Sequence, residues 1–185
     1  SLVMAAMMEN RGRIVALDTD PERLERGGAR IRRAGIHNVE RVAVPADWGV
    51  KRYRGKFERV VIDAPCAGSG AGRRAVEARW RCDAAALARA HEAQAALLDR
   101  ARAMVVPGGR IIYITCSLLR SEGEAQIERL LAEAPELEIA EISEIWQDVI
   151  GNDACPPTDR GMLRLLPGRD GTDGFFMAVL QSRLR

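Results

Sequence analysis

The 185-residue chain is read as an α/β domain, an open and mostly parallel sheet with helices on both faces. Two observations predict this. Short β-branched apolar runs alternate with helical stretches in the order βαβαβαβ, and strands joined through helices pair most economically in parallel. Four acceptor or thiol side chains, Asp18, Asp47, Asp63 and Cys116, also fall at or just beyond the ends of these runs. Open α/β sheets bind ligands outside the carboxyl ends of their strands.

Each element has its own signal. Leu2–Met8 (LVMAAMM) reads as the latter part of an apolar helix with no charged leader or cleavage site, so it is not a secretion signal, and the chain is expected to continue upstream. Arg13–Leu17 (RIVAL) is a nearly continuous apolar run, as in a buried parallel strand. It runs into Asp18-Thr19-Asp20-Pro21, a helix-start signal, and a basic helix with Leu24, Gly27/Gly28 and Ile31 on its inner face, stopped by Gly35. Val39–Val44 and Phe57–Ile62 are the next strands, the latter entering Asp63-Ala64-Pro65-Cys66 and a Gly/Ser/Ala loop. After the Arg79-Trp80-Arg81 cluster, Asp83 caps a long Ala-rich helix reaching about Met104, with Leu87, Ala90, Gln94, Leu97, Ala101 and Met104 on one stripe. Pro107-Gly108-Gly109 terminates it, and Arg110–Thr115 (RIIYIT) delivers Cys116-Ser117. Glu122–Leu131 reads as a helix, Leu137–Ile142 as a strand, 156–171 as loop-rich, and Phe175–Leu180 (FFMAVL) as the last strand.

Composition narrows the class. With 47% hydrophobic residues the chain is not disordered, and no apolar run approaches the roughly 20 residues of a membrane span. The length suits one domain covering residues 1–185. Four cysteines lack the paired short spacings of a zinc site, so no metal is expected, and reduced thiols in a cytoplasmic protein are the default. Between residues 120 and 148 lie nine acids and two arginines, read as solvated faces, which leaves the rest of the chain basic. The basic residues are arginines except Lys51 and Lys56. Arginine's planar fork suits phosphate, although a GC-rich coding sequence produces the same bias.

Among the strand-end residues, Asp18 has the position of an acid that accepts from a ribose diol, or of an ordinary helix cap. Cys66 and Cys116 carry more. A cysteine is usually a buried small hydrophobe, and Cys82 and Cys155 are read so. Cys66 and Cys116 adjoin βα loops, where a helix N-terminus lowers a thiol's pKa and favours the nucleophilic thiolate. Asp63, three residues before Cys66, is placed to hydrogen-bond a heterocycle nitrogen.

Asp63-Ala-Pro-Cys66-Ala-Gly-Ser-Gly70, followed fifty residues after Cys66 by Thr115-Cys116-Ser117, resembles the two-cysteine signature of the bacterial Sun/Fmu-type RNA cytosine-5 methyltransferases. Ala16-Leu-Asp18, Arg79-Trp-Arg81, Gln94, Pro107-Gly-Gly109, Arg164-Leu-Leu-Pro167 and Asp173-Gly-Phe-Phe176 support the resemblance, which spans nearly the whole chain. It implies a Rossmann-like class I fold binding S-adenosyl-L-methionine (SAM) and acting on RNA, with ribosomal RNA as the expected substrate. By the same resemblance, Cys116 attacks C6 of a cytosine, Asp63 holds the base at N3, and Cys66 assists release of the methylated product. Asp18 maps to the ribose acid, Asp47 to the residue near the adenine, and Pro65 fixes the loop beside the base.

The departures remove none of these groups. Ala67 stands where a hydroxyl residue is usual, Ala75-Val76 where Asn-Pro is common, and Arg120, Gly123 and Gly168 where Pro, Asn and His are frequent. The resemblance also places the Gly-rich SAM loop and a central first strand upstream of Ser1, between the strands RIVAL and FERVVI. Without that strand each buried unpaired backbone group costs roughly 1–3 kcal/mol, so the sheet is expected to close directly or to take a strand from another chain, and 1–185 by itself to bind SAM poorly. The rival reading from another class is a non-catalytic RNA-binding or assembly module on the same fold. A nicotinamide dehydrogenase would explain Asp18 but leave the two thiols without a task, and a DNA cytosine methyltransferase would use Cys66 as nucleophile.

Overall fold

The structure, a computed structural model, describes residues 1–72, 74, 83–151 and 154–184. Contacts divide it into two units, Ser1–Gly49 and Val50–Arg185. The Arg79-Trp80-Arg81 cluster, Ala75-Val76 and Cys82 lie outside the described residues.

In the first unit a short helix α1 (Leu2–Met7) precedes β1 (Ile14–Asp18), helix α2 (Pro21–Arg33) and β2 (Val39–Ala43). The order βαβ forces a crossover, and β1 and β2 pair in parallel from Ile14↔Val39 to Asp18↔Ala43. Asp20, not Asp18, caps α2: its carboxylate accepts from the backbone N–H of Glu22 and Arg23, with Pro21 at the first helical position. The helix stops at Gly35, whose φ of +65° suits a residue without a Cβ. Its buried Gly28 leaves room for Arg41 of β2, whose guanidinium lies 2.4 Å from where a Cβ would stand and donates to the Leu24 carbonyl at 2.7 Å. The expectation of a buried strand fails for β1, all of whose residues are half-buried. Among the described residues β1 hydrogen-bonds one neighbour only, so one of its edges has no strand to cover it.

The second unit holds β3 (Phe57–Asp63), α3 (Ala84–Met104), β4 (Val105–Thr115), α4 (Glu124–Glu133), β5 (Leu137–Ile139), α5 (Ile142–Ile150), β6 (Thr158–Asp159), β7 (Met162–Leu165), α6 (Pro167–Asp170) and β8 (Phe175–Ser182). Its six-stranded sheet runs β3-β4-β8-β7-β6, with β5 also on β8. The first unit's strands form a two-stranded sheet of their own. β3 and β4 are parallel, as a crossover through α3 requires, whereas β8 runs antiparallel to β4, β5 and β7. The parallel pairing expected from the βα alternation thus ends at β4. Beyond it β8 returns antiparallel beside β4 after a long intervening stretch, and only β6 and β7 are joined by a short turn.

Period-two alternation sorts the side chains of β4 and β8 between two cores. Ile111 and Tyr113 of β4, with Phe176, Ala178 and Leu180 of β8, pack with Leu98 and Ala101 of α3 and Ile127 and Leu130 of α4. The alternate residues Ile112, Met177 and Val179 pack with Ile142, Ile145 and Trp146 of α5. Helices therefore cover both faces, as expected. Helix α3 begins at the Asp83 cap, which accepts from Ala86 N at 2.6 Å. Its fully buried positions are Gln94, Leu98, Ala101 and Met104, so Leu98 takes the central place expected for Leu97.

Three local readings change. Pro107-Gly108-Gly109 lies inside β4, where the register with β3 shifts between Phe57 and Arg59. The expected strand to Ile142 ends at Ile139, and α5 follows because Ile142, Ile145, Trp146 and Val149 form one helical face. The stretch read as loop contains β6, β7 and α6. No helix among the described residues is long and apolar enough to cross a membrane.

Candidate functional site

Parallel pairing brings the outgoing ends of β3 and β4 side by side, with Asp63 opposite Ile114. The loops that leave these ends carry Cys66 and Cys116. Their sulfurs are 3.3 Å apart, although the residues lie fifty positions apart in sequence. Backbone bonds stitch the loops together: Ala64 N donates to Ile114 O at 2.9 Å, and Gly70 N to Cys116 O at 2.9 Å. Gly174, just before β8, donates to Gly70 O at 2.9 Å. The approach is so close that a Cβ on Gly70 would lie 2.3 Å from the Gly174 carbonyl oxygen.

Side chains complete the frame. Ser69 and Ser117 hydroxyls are 3.1 Å apart, and Leu118 N donates to Ser69 Oγ at 2.8 Å. Gln94 of α3 donates to the Pro65 carbonyl at 2.8 Å and to Glu122 at 3.1 Å. Arg164 of β7 pairs with buried Glu124 at 2.5 Å, donates to the Ser117 carbonyl at 3.3 Å, and lies over the Phe176 ring at 5.1 Å. Arg74 forms an ion pair with Asp173.

The two thiols are half-buried. Burial, then the hydrogen bond that the Cys66 thiol shares with the Cys116 sulfur, pushes Cys66 up to about 12 from an ordinary 9.0. This corrects the expectation that a helix N-terminus would favour its thiolate. The loop enters only a three-residue turn, Ser69–Ala71, too short to supply a strong dipole against desolvation. Cys66 is a proton-bearing thiol at neutral pH. The hydroxyl of Tyr113, beneath the site, is also raised, by burial first and then by the charges of Glu122 and Cys66.

Asp63 is exposed at the end of β3, and Pro65 is exposed in the loop. Cys66, Cys116, Asp63 and Pro65 therefore share one end of the β3–β4 pair. Asp18 and Asp47 belong to the first unit. Asp18 ends β1, where its Oδ1 accepts from Asp20 N at 2.9 Å and its Oδ2 lies 3.5 Å from Arg23. With the helix cap assigned to Asp20, Asp18 keeps acceptor capacity toward a hydroxyl-bearing ligand. Asp47 is exposed in the turn after β2. Carboxylates at successive strand ends suit the diol and amine groups of a nucleoside cofactor. Among the described residues no group of three or more His, Cys, Asp or Glu gathers to hold a metal. Cys155 packs into the second core and donates to the Pro156 carbonyl at 3.3 Å, in keeping with a structural thiol.

Sequence reasoning missed Glu122 and the part played by Ser69, Ser117 and Gln94. It assigned the acids of 120–148 to solvated faces, whereas Glu122 and Glu124 are buried. Glu122's partners Ala67 and Gln94 lie 55 and 28 residues away, so no local pattern announces the contact.

Comparison with known proteins agrees with this architecture. A family model described as 16S rRNA methyltransferase RsmB/F matches residues 2–181. Ribosomal RNA small subunit methyltransferase B of Vibrio cholerae is 29% identical over 171 residues, 92% of this chain and 36% of that protein. The chain thus spans about a third of the length of this relative. Among solved structures, that of PH0851 is 30% identical with a TM-score of 0.86, covering 97% of this chain and 39% of that one. A methyltransferase homolog protein from Pyrococcus horikoshii is 26% identical with a TM-score of 0.72, covering 97% of this chain and 56% of that one. The fold is the Rossmann-like class I fold.

Proposed function

The chain belongs to the RsmB/F family of 16S rRNA methyltransferases, and on that premise we propose that it methylates C5 of a cytosine in RNA, ribosomal RNA foremost, in the cytoplasm. Residues 1–185 act as part or all of one catalytic domain. The observation that carries this reading is the pair of thiols 3.3 Å apart at the ends of β3 and β4, one of them held protonated.

Two adjacent thiols at one strand end, one of them held protonated by burial, divide the labour of a nucleophile and a proton carrier. Cys116 is the nucleophile: its sulfur bonds to C6 of a cytosine turned out of its stack, and the electron density moves onto C5. SAM supplies the electrophilic methyl group when bound. Asp18 and Asp47 accept from its ribose and adenine ends, and Pro65 shapes the loop beside the base. Asp63, exposed at the strand end, holds N3 of the cytosine and stabilises the charge that the attack develops. Release breaks the bond between C6 and the Cys116 sulfur as the C5 proton departs to a solvent base, and the Cys66 thiol, beside that sulfur, assists by giving the leaving sulfur a proton.

The test uses the full-length protein that carries this chain, with tritiated SAM and bulk RNA. Wild type should transfer label into RNA. Cys116→Ala should abolish transfer and covalent adduct together, with RNA binding retained. Cys66→Ala should accumulate a denaturation-resistant RNA adduct through Cys116. Transfer that survives Cys116→Ala would overturn the nucleophile assignment, and exchanged phenotypes of the two variants would assign attack to Cys66. RNA binding by a wild type that transfers nothing would favour the non-catalytic module.

A further inference from the structure

Three donors from separate parts of the chain converge on one fully buried acid, Glu122. Its Oε1 accepts from the Ala67 backbone N–H at 2.9 Å and from Gln94 Nε2 at 3.1 Å, and its Oε2 accepts from the Ser117 hydroxyl at 2.5 Å. Its peptide carbonyl takes the Tyr113 hydroxyl at 2.8 Å. Among the described residues no Arg, Lys or His lies within ion-pair distance of it, in contrast to Glu124 two residues on, which Arg164 neutralises.

The direction of the bonds follows from proton counting. Ser117 has one hydroxyl proton, given to Glu122, so the bond between Ser69 and Ser117 is donated by Ser69. Ser69 in turn accepts from Leu118 N, and Ser117 from Leu119 N at 3.0 Å. Every hydrogen bond in the relay therefore points toward the acid. A buried acid without a cation is a poor way to hold a fold, since an apolar side chain of similar volume is usually no less stable. What this acid does, and an apolar residue could not, is grip two loops at once. Ala67 adjoins Cys66, Ser117 adjoins Cys116, and Gln94 extends the grip to the Pro65 carbonyl.

We propose that Glu122 is a positioning residue that clamps the Cys66 loop to the Cys116 loop and thereby sets the spacing of the two sulfurs. Its purpose rests on the methyl-transfer reading, but its effect on the sulfurs does not. Charge-assisted hydrogen bonds are short and directional, so the clamp fixes a distance that loop backbone alone would leave free to vary. Gln94 and Ser117 are the arms through which it acts.

The test reads the spacing without RNA or SAM. Phenylarsine oxide bridges two nearby thiols, its oxygen leaving as water with both thiol protons, whereas iodoacetamide reacts with one thiol at a time. In the full-length protein, Glu122→Gln keeps the side-chain volume but sets an amide NH2 against one arm. Its affinity for phenylarsine oxide should fall roughly 10- to 100-fold, the size expected from losing a charged hydrogen bond, with iodoacetamide rates and circular dichroism near wild type. If Glu122→Gln does not fold, Ser117→Ala, which cuts one arm only, carries the test with a smaller loss in the same direction. In the methyl-transfer assay kcat should fall while KM for SAM stays constant, a split that general destabilisation would not produce. Unchanged arsenical affinity in the folded variants, or a loss matched by equally altered iodoacetamide rates, would overturn the clamp. A wild type that bridges arsenic but transfers no methyl group would instead count against the proposed function and leave the clamp standing.

Discussion

Two strands with nearly the same sequence pattern meet different fates. RIVAL in the first unit and RIIYIT in the second are both arginine followed by a β-branched apolar run. β1 stays half-buried throughout, and the buried residues of Ser1–Gly49 are Ala5, Gly28 and Asn38. In β4, by contrast, Ile111 and Tyr113 are wholly buried between β3 and β8 and beneath α3 and α4. Apolar sequence makes a strand, but neighbours on both edges and cover on both faces make it a core. A two-stranded sheet is at best marginal by itself, so the deeper unit should carry the stability and hold the thiol pair rigid.

Core truncation breaks or sharpens this contrast most strongly. Leu98→Ala in the second unit should cost about 2–5 kcal/mol, whereas Leu17→Ala in half-buried β1 should cost about 1 kcal/mol, both read by urea denaturation. Native-state hydrogen exchange should agree, with the slowest amides in β4 and β8 and much faster ones in β1. Equal costs at the two leucines would remove the distinction.

Glycine replacements should differ in sign. Gly70→Ala drives a Cβ against the Gly174 carbonyl oxygen and should destabilise by about 1–3 kcal/mol. Gly27→Ala in α2 meets nothing within 4 Å, and should stabilise its helix by roughly 0.5–1 kcal/mol. Thermal melts of the two variants decide the matter.

The smallest effect is a pH dependence centred on the thiol pair. Between 9.0 and about 12 the folded chain keeps a proton on Cys66 that the unfolded chain has released. The native state binds more protons there, so stability falls as pH rises through that window, while below it the contribution is flat. Tyr113, raised from 10.0 mainly by burial, acts in the same direction at higher pH. Cys66→Ala should make the alkaline loss of stability shallower, as followed by urea midpoints across the window. An unaltered slope would mean that the Cys66 thiol is freer to ionise than its surroundings suggest.

Most of the fold was legible because local chemistry sets it. The RIVAL, VERVA and FERVVI strands, the Asp83 cap and the final FFMAVL strand declare themselves through apolar period, capping residues and turn glycines. In sequence Ile142 reads with the preceding strand and 143–155 carry no assigned element, whereas the spacing of Ile142, Ile145, Trp146 and Val149 marks the helix α5. The site was half legible. The two cysteine motifs stood at strand ends in plain view, whereas Glu122 looked like one more acid on a wet face until its partners were brought to it.

The sequence by itself determined the strands, the helix starts, the motif loops and, through those motifs, the family. These depend on residues within one or two turns of each other, or on short words that chemistry tolerates in few forms. Tertiary structure decided which strand became core, how close the sulfurs of Cys66 and Cys116 came, that burial would hold the Cys66 proton, and that an acid would be buried against both of their loops. Each of those outcomes depends on burial and on contacts between residues 28 to 55 positions apart, and no local pattern contains that information.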